Sequence, residues 1–147
     1  MSDLRELYQQ VILDHNRKPR NFRRIADANR TAEGHNPLCG DQIALYLTVE
    51  DGVVKDAAFQ GSGCAISQAA ASLMTASVIG KREAEVEALF HRVHSMLTGA
   101  NGAAAEVGKL AVFAGVREFP SRIKCVTLAW HTLQAALRGA AEPVSTE

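Results

Sequence analysis

The sequence lacks an excess of charge of either sign. Lysine plus arginine and aspartate plus glutamate number 16 each, so no overall positive field would attract nucleic acid or a membrane surface. The chain also has no apolar run of membrane-spanning length and no basic leader followed by an apolar segment. We therefore expect a cytoplasmic protein that binds neither nucleic acid nor membranes.

Cysteine is scarce as well. The three cysteines cannot pair off completely, they are far apart in the sequence, and no Cys-x-x-Cys pair occurs. In a reducing compartment, such cysteines are better explained as metal ligands or reactive thiols than as a disulfide framework. Cys39, Cys64 and Cys125 are therefore the first candidates for a functional site.

The length and the hydrophobic content favour one ordinary core. With 147 residues, of which 47% are hydrophobic, the chain is too short for two independent domains. We expect a single domain over residues 1–147, with the last few residues as a flexible tail.

Hydrophobic periodicity predicts a helix followed by a hairpin in the first half of the chain. The opening helix has an apolar face with helical spacing and should end near Asn16, before Pro19. Residues 28–37 are polar and are expected to form a loop. From Ile43 the pattern alternates with period two, and the Asp51-Gly52 turn leads into a return strand over residues 53–59.

Helical patterns follow the hairpin. Four are expected, over residues 65–79, over about residues 82–97, over about residues 103–114 as a shorter one, and in a closing helix capped by Ser121 that ends at Gly139. This order predicts the α+β class, with a small antiparallel sheet and helices packed on one face.

Two of the cysteines fall at predicted element boundaries in the first half of the chain. Cys39 and Asp41 are two residues apart where a strand is expected to begin, and an extended backbone would turn both side chains to the same side. Cys64 follows a Gly-Ser-Gly turn at a helix start, where unpaired backbone N–H groups favour the thiolate over the thiol.

Cys125 has a similar setting near the end of the chain. It is expected in the first turn of the closing helix, and Arg122 and Lys124 add positive charge beside it. Three thiolates and the Asp41 carboxylate would make a sensible tetrahedral zinc site. Residue types and spacing alone leave two alternatives open, because free cysteines are often small core residues and Asp41 also suits a turn at a strand entrance.

The histidines are weaker candidates. His91 and His94 flank the apolar stripe of a predicted helix and are expected at the surface or its boundary. His131 is expected to be a packing or surface residue of the closing helix, and Trp130 is expected in the core. His35 is the one histidine near the Cys39 loop, where it could support or replace a metal ligand.

Three segments together resemble the U-type proteins of iron–sulfur cluster biogenesis. They are Asn-Pro-Leu-Cys-Gly-Asp at 36–41, Gly-Ser-Gly-Cys-Ala-Ile-Ser at 61–67, and Arg-Ile-Lys-Cys-Val-Thr-Leu-Ala-Trp at 122–130. The resemblance covers nearly the whole chain, and the combination is much more specific than any one segment. It favours the metal-site interpretation over that of buried core cysteines.

Within this superfamily, the sequence is more similar to the SufU branch than to the cluster scaffolds. Lys124 stands where scaffolds carry a histidine, and residues 118–122 lack the scaffold motif Leu-Pro-Pro-Val-Lys. The interval between Cys64 and Cys125 is also longer than in scaffolds. Arg122 and the tryptophan in the closing helix match the SufU branch.

The resemblance implies a zinc-dependent sulfur acceptor of the SUF system. Cys39, Asp41, Cys64 and Cys125 would bind Zn²⁺, and Cys39 would take persulfide sulfur from a SufS-type cysteine desulfurase for a downstream SUF scaffold complex. In the family's mechanism, a histidine of the desulfurase replaces the aspartate ligand, and a cysteine leaves zinc to attack the persulfide. We assign that attack to Cys39 because its loop should be more mobile than the helix starts.

Two further functions are compatible with the same ligands. A scaffold could assemble a [2Fe–2S] cluster on them, although the histidine of scaffolds is missing. A structural zinc binding module would also use a closed four-ligand site. A hydrolytic zinc enzyme fits less well, because such enzymes keep a position open for water and usually use histidine ligands.

Overall fold

A computed structural model describes residues 2–37, 40–97, 110–113, 120–139 and 144–145 of the chain. In these residues the helices and strands follow the order α1 (Ser2–Arg17), β1 (Arg30–Asn36), β2 (Asp41–Glu50), β3 (Val53–Ser62), α2 (Ala65–Val78), α3 (Glu83–Leu97), α4 (Pro120–Arg138) and β4 (Val144–Ser145).

The predicted hairpin is present as β2 and β3. Asp51 and Gly52 connect the two strands with φ angles of 53° and 74°, the left-handed conformation that a two-residue hairpin turn requires. Alternate residues of β2 from Ile43 to Val49 are buried, so one face of the hairpin is covered by the core. The strand β3 continues to Ser62, three residues beyond the predicted end.

The prediction of a loop over residues 28–37 is wrong for most of that range, because Arg30–Asn36 forms the strand β1. This strand pairs antiparallel with β2, from Arg30 opposite Leu47 to Asn36 opposite Asp41. Its buried face carries the small or polar residues Ala32, Gly34 and Asn36 rather than large apolar ones. The usual hydrophobic alternation of a strand is therefore missing from the sequence.

Close packing against α4 leaves no room for a side chain at Gly34, in the middle of the buried face of β1. A Cβ atom there would lie 3.1 Å from Leu128 Cδ1 and would collide with Thr132 Oγ1, both in α4. The strand and the helix approach each other closely, and this approach brings α4 next to Asn36 and Asp41.

The α+β class with helices on one face of the sheet is confirmed. The helices α2 and α4 pack against each other and against the sheet, with α1 on α2 and α3 on α4. Small side chains in α2 and larger ones in α4 share the core, among them Ala69, Ala70, Leu73, Leu128, Trp130 and Leu133. The strand order is β3-β2-β1-β4.

Three predictions for the second half of the chain need correction or lie outside the described residues. The helix α4 begins at Pro120, so Ser121 is inside the helix and not its cap; proline suits a first helical position because no N–H bond is lost there. Val144 and Ser145, expected in the tail, pair in parallel with Gly34 and His35. The helix predicted over residues 103–114 lies outside the described residues except at 110–113, which form a 3₁₀ turn.

Candidate metal centre

Asp41 is fully buried at the start of β2. Its Oδ1 atom accepts a hydrogen bond of 2.9 Å from the backbone N–H of Cys64, so its carboxylate joins the start of β2 to the entrance of α2. Gly40, just before it, has a φ of 73°. The prediction of an extended backbone between Cys39 and Asp41 is therefore wrong, because Gly40 has a left-handed conformation.

Cys64 is the N-cap residue of α2. Its Sγ atom accepts from the backbone N–H of Ser67 at 3.4 Å, and this contact occupies one of the N–H groups that every helix start leaves unpaired. The side chain is half-buried, and its Sγ atom lies 4.0 Å from Asp41 Oδ2. The predicted position at a helix start is confirmed.

Cys125 is fully buried on the inner face of α4. It lies five residues after Pro120, in the second turn, so the expectation that it lies in the first turn is wrong. The helix begins earlier than predicted, and the N–H groups at its start are a turn away. The nearest polar contact described for the Cys125 sulfur comes from the Asn36 side chain, whose Nδ2 atom donates at 3.9 Å.

The fold brings these three side chains together. One ligand atom from each of Asp41, Cys64 and Cys125 lies within 4.8 Å of those of the other two. The three residues come from a strand, a helix start and a second helix. Cys39, the fourth predicted ligand, lies outside the described residues and stands two positions before Asp41 in the chain.

The donor set and its spacing suit a zinc ion. Zinc–sulfur and zinc–oxygen bonds of about 2.3 and 2.0 Å place tetrahedral donors about 3.5 to 3.8 Å apart. The 4.0 Å between Cys64 Sγ and Asp41 Oδ2 is about half an ångström wider than the sulfur–oxygen value. Two sulfurs and a carboxylate are acceptable to zinc and also to iron.

Gly63 leaves room for the Asp41 carboxylate. A Cβ atom on Gly63 would lie 3.0 Å from both the Cα and the Cγ of Asp41 and would collide with its Oδ1 atom. Glycine at position 63 is therefore a packing requirement of the site, because any larger residue there would displace the carboxylate. The turn expected over Gly61–Gly63 is wrong for its first two residues, which belong to β3.

The other predicted site residues lie around this group or away from it. Arg122 is exposed on α4 and Lys124 is half-buried, so the part they play beside Cys125 stays a prediction. His35 lies on the exposed face of β1, opposite to that of Asn36, and is not in the group of three ligands.

Three of the four remaining histidines form a separate cluster. The rings of His91, His94 and His131 lie 5.5 to 6.0 Å from the ring of Phe90, between α3 and α4. Burial, and secondarily the charge of His94, hold the pKa of His131 below its usual value. Among the described residues these histidines are not part of a group of three or more metal-ligating side chains.

Asn36 and Ser67 contact the ligands, and residue types alone did not identify them. Asn36 opens the motif at 36–41, but its role depends on β1, because its pairing with Asp41 places it on the buried face. Ser67 is three residues after the helix cap Cys64, where an N-cap side chain normally finds its donor.

The architecture is that of a small α+β domain in which cysteine and aspartate side chains gather where the sheet meets two helices. The chain belongs to the NifU-like N terminal domain family, whose model matches residues 7–139. In the described residues, no helix has the length and apolar character that a membrane span requires.

Some relatives that are similar to this chain over almost its whole length are named as scaffold proteins, and another is named as a sulfurtransferase. An iron–sulfur cluster assembly scaffold protein IscU of Thermotoga maritima is 42% identical over 93% of this chain and 96% of its own. A zinc-dependent sulfurtransferase SufU of Bacillus subtilis is 38% identical over 90% of each chain.

Solved structures have the same fold. A Fervidobacterium islandicum protein, proposed to be the iron–sulfur cluster assembly scaffold of the SUF system, has a TM-score of 0.83 and 33% identity over 87% of this chain and 94% of its own. A nitrogen-fixing NifU-like protein (N-terminal) from Brucella abortus has a TM-score of 0.80 and 27% identity over 90% of this chain and 92% of its own.

Proposed function

We propose that this protein takes part in iron–sulfur cluster assembly as a zinc-dependent sulfur acceptor for a cysteine desulfurase. The observation that carries the proposal is the convergence of Asp41, Cys64 and Cys125, whose ligand atoms lie within 4.8 Å of one another. The similarity to a zinc-dependent sulfurtransferase over 90% of the chain supports it. Cys39 completes the ligand set and accepts the sulfur.

The residues of this chain have distinct tasks in the proposed reaction. When bound, zinc keeps its cysteine ligands deprotonated at neutral pH. Asp41, Cys64 and Cys125 hold the ion on elements that the core fixes in place. Cys39 belongs to the connection between β1 and β2, where a partner protein can reach a side chain more easily than inside the sheet.

The transfer step needs no external oxidant or reductant. The Cys39 thiolate attacks the terminal sulfur of the persulfide on the desulfurase cysteine. A new bond forms between Cys39 Sγ and that sulfur, the sulfur–sulfur bond of the desulfurase breaks, and the desulfurase cysteine leaves as a thiolate. Cys39 then carries the persulfide to the next protein, which we infer is a SUF scaffold complex.

A scaffold function is the second candidate, and the similarity to proteins named as scaffolds favours it. Two thiolates, a carboxylate and Cys39 can also hold a [2Fe–2S] cluster. Lys124 beside Cys125 argues for the sulfur acceptor, because a lysine ammonium does not ligate a metal in place of the scaffold histidine.

The decisive experiment measures turnover of a SufS-type cysteine desulfurase with and without this protein, loaded either with zinc or with iron and sulfide, together with metal analysis. We expect one tightly bound zinc and strong stimulation, with a mass gain of one sulfur atom on Cys39. Cys39→Ala should abolish stimulation, whereas the control Ser62→Ala, an exposed change two residues before Cys64, should not.

Other results would identify the other functions. No stimulation, with a stable cluster that passes to an apo-acceptor, would make the protein a scaffold. Tight zinc with neither stimulation nor cluster transfer would leave a structural zinc module. Sulfur acceptance at the wild-type rate by Cys39→Ala would refute the assignment of the acceptor.

A further inference from the structure

Each of the three described ligands accepts a hydrogen bond from elsewhere in the protein. The backbone N–H of Cys64 donates to Asp41 Oδ1 at 2.9 Å, and the backbone N–H of Ser67 donates to Cys64 Sγ at 3.4 Å. The third donor is the side chain of Asn36, whose Nδ2 atom lies 3.9 Å from Cys125 Sγ. Asn36 is therefore the donor that a point mutation can remove without changing the backbone.

Asn36 contacts the site with its backbone as well as its side chain. It is the last residue of β1, is fully buried, and pairs with Asp41 across the β1–β2 ladder. Its carbonyl oxygen accepts from the backbone N–H of Gly40 at 2.9 Å. Asn36 therefore contacts both Gly40, next to Asp41, and the sulfur of Cys125.

The hydrogen bond from Asn36 would stabilise the Cys125 sulfur when it is a buried thiolate. A buried charged group needs hydrogen-bond donors, and bonds to a charged acceptor are about twice as strong as those between neutral groups. Cys125 lies inside α4, a turn away from the N–H groups of the helix start, and the Asn36 side chain supplies a donor to its sulfur. An N–H donor also draws electron density from the sulfur and fixes its orientation.

We propose that Asn36 is a positioning residue of the metal centre, which orients the Cys125 sulfur and moderates its donor strength through the Nδ2–H···Sγ hydrogen bond. The inference rests on the proposed binding of zinc by Cys125. Substitutions of residues that contact metal ligands typically weaken metal affinity about 10- to 100-fold, and this is the range that we expect for Asn36.

The test compares Asn36→Leu with the wild-type chain. Leucine has the same number and branching of side-chain heavy atoms as asparagine but has no donor. We expect zinc affinity, measured by competition with a chromophoric chelator, to fall about tenfold or more. In the cobalt-substituted protein, the thiolate-to-metal charge-transfer band should shift, because the Cys125 sulfur loses a donor. A purely structural role would lower stability and leave the band in place.

Asn29→Leu is the matched control. Asn29 also uses its side-chain amide within the β1–β2 region, donating to Val49 O at 2.7 Å and accepting from Val49 N at 2.9 Å, but at the end of the ladder away from the site. We expect this variant to lose stability while its zinc affinity and cobalt spectrum remain those of the wild type.

A second variant keeps the test informative if Asn36→Leu does not fold. In Asn36→Ser the hydroxyl is one bond shorter than the amide and does not reach Cys125 Sγ, so the same loss of affinity is expected. Wild-type zinc affinity and an unchanged cobalt band in whichever variant folds would overturn the role of Asn36 and leave the proposed function standing. A wild-type chain that binds no zinc would refute the proposed function itself.

Discussion

At the scale of single residues, the candidate centre depends on the missing side chain of Gly63 as well as on its ligands. Asp41 is buried beside Gly63, and the hydrogen bond from the Cys64 N–H to Asp41 Oδ1 requires that the carboxylate lie against the Gly63 backbone. A glycine at position 63 is therefore needed for a ligand 22 residues earlier in the chain.

Gly63→Ala tests this dependence. The new methyl group would push the Asp41 carboxylate away from Cys64, so we expect zinc affinity to fall, together with a loss of about 1–3 kcal/mol in the free energy of unfolding from overpacking. Chelator competition and urea unfolding of the same samples measure the two effects.

Gly80→Ala is the control for this substitution. Gly80 has a φ of 88° but open space around its Cα, so alanine there should cost about 1–2 kcal/mol of backbone strain without changing zinc affinity. Equal zinc affinity in the two variants would contradict the proposed packing of Asp41 against Gly63.

At the scale of elements, the start of α2 serves both the helix and the site. Cys64 is its N-cap, and the contact from the Ser67 N–H to its sulfur is 3.4 Å, longer than a typical N–H···O bond of about 2.9 Å. Serine is among the best N-cap residues, whereas alanine has no acceptor to offer. Helix capping and metal binding can therefore be separated by the choice of substitution.

Cys64→Ser and Cys64→Ala make that separation. Both variants should lose zinc binding, but in the metal-free state Cys64→Ser should match or exceed the wild type in stability, while Cys64→Ala should lose about 1 kcal/mol. Urea unfolding in the presence of a chelator measures the difference. If the serine variant were as unstable as the alanine variant, the capping role of Cys64 would be wrong.

The free edge of the strand β3 is covered by backbone segments outside the sheet, which hydrogen-bond to it. The backbone of Phe59 exchanges hydrogen bonds with Asn21 and Arg23, each of 3.0 Å, and Val54 exchanges them with Gly80 and Lys81. Exposed strand edges invite pairing with other chains. These segments therefore protect the edge of the sheet.

At the scale of the whole molecule, the interface of α3 and α4 contains a titratable group away from the metal centre. His131 is half-buried against Phe90, with a ring distance of 5.5 Å, and burial, followed by the charge of His94, lowers its pKa. The unfolded chain titrates this histidine near its ordinary value of about 6.5. Below that value, the folded protein binds fewer protons than the unfolded chain.

The stability that depends on neutral His131 is therefore fully present above pH of about 6.5 and is lost as the pH falls below it. His131→Gln should flatten the pH dependence of the unfolding free energy below pH of about 6.5, measured by urea unfolding. The control is His91→Gln, since that side chain is 69% exposed. An unchanged slope in His131→Gln would exclude His131 as a source of the pH dependence.

Local patterns in the sequence were sufficient for much of the fold. The helices α1, α2 and α3 and the β2–β3 hairpin agree with the predictions to within three residues at the ends that were predicted, because their apolar spacing and the Asp51-Gly52 turn act over short stretches of chain. The strand β1 could not be predicted in this way. Its buried face is formed by Ala32, Gly34 and Asn36, and only pairing with β2 makes it a strand.

The candidate ligands could be chosen from residue type and motif, because cysteine is scarce and an aspartate stands two residues after the first of the three. The meeting of Asp41, Cys64 and Cys125, and the contact of Asn36 with a sulfur 89 residues away, follow from tertiary packing alone. The physical reason is the close approach of α4 to β1 at Gly34. That approach depends on the fit between side chains distant in sequence, which no local pattern of apolar residues encodes.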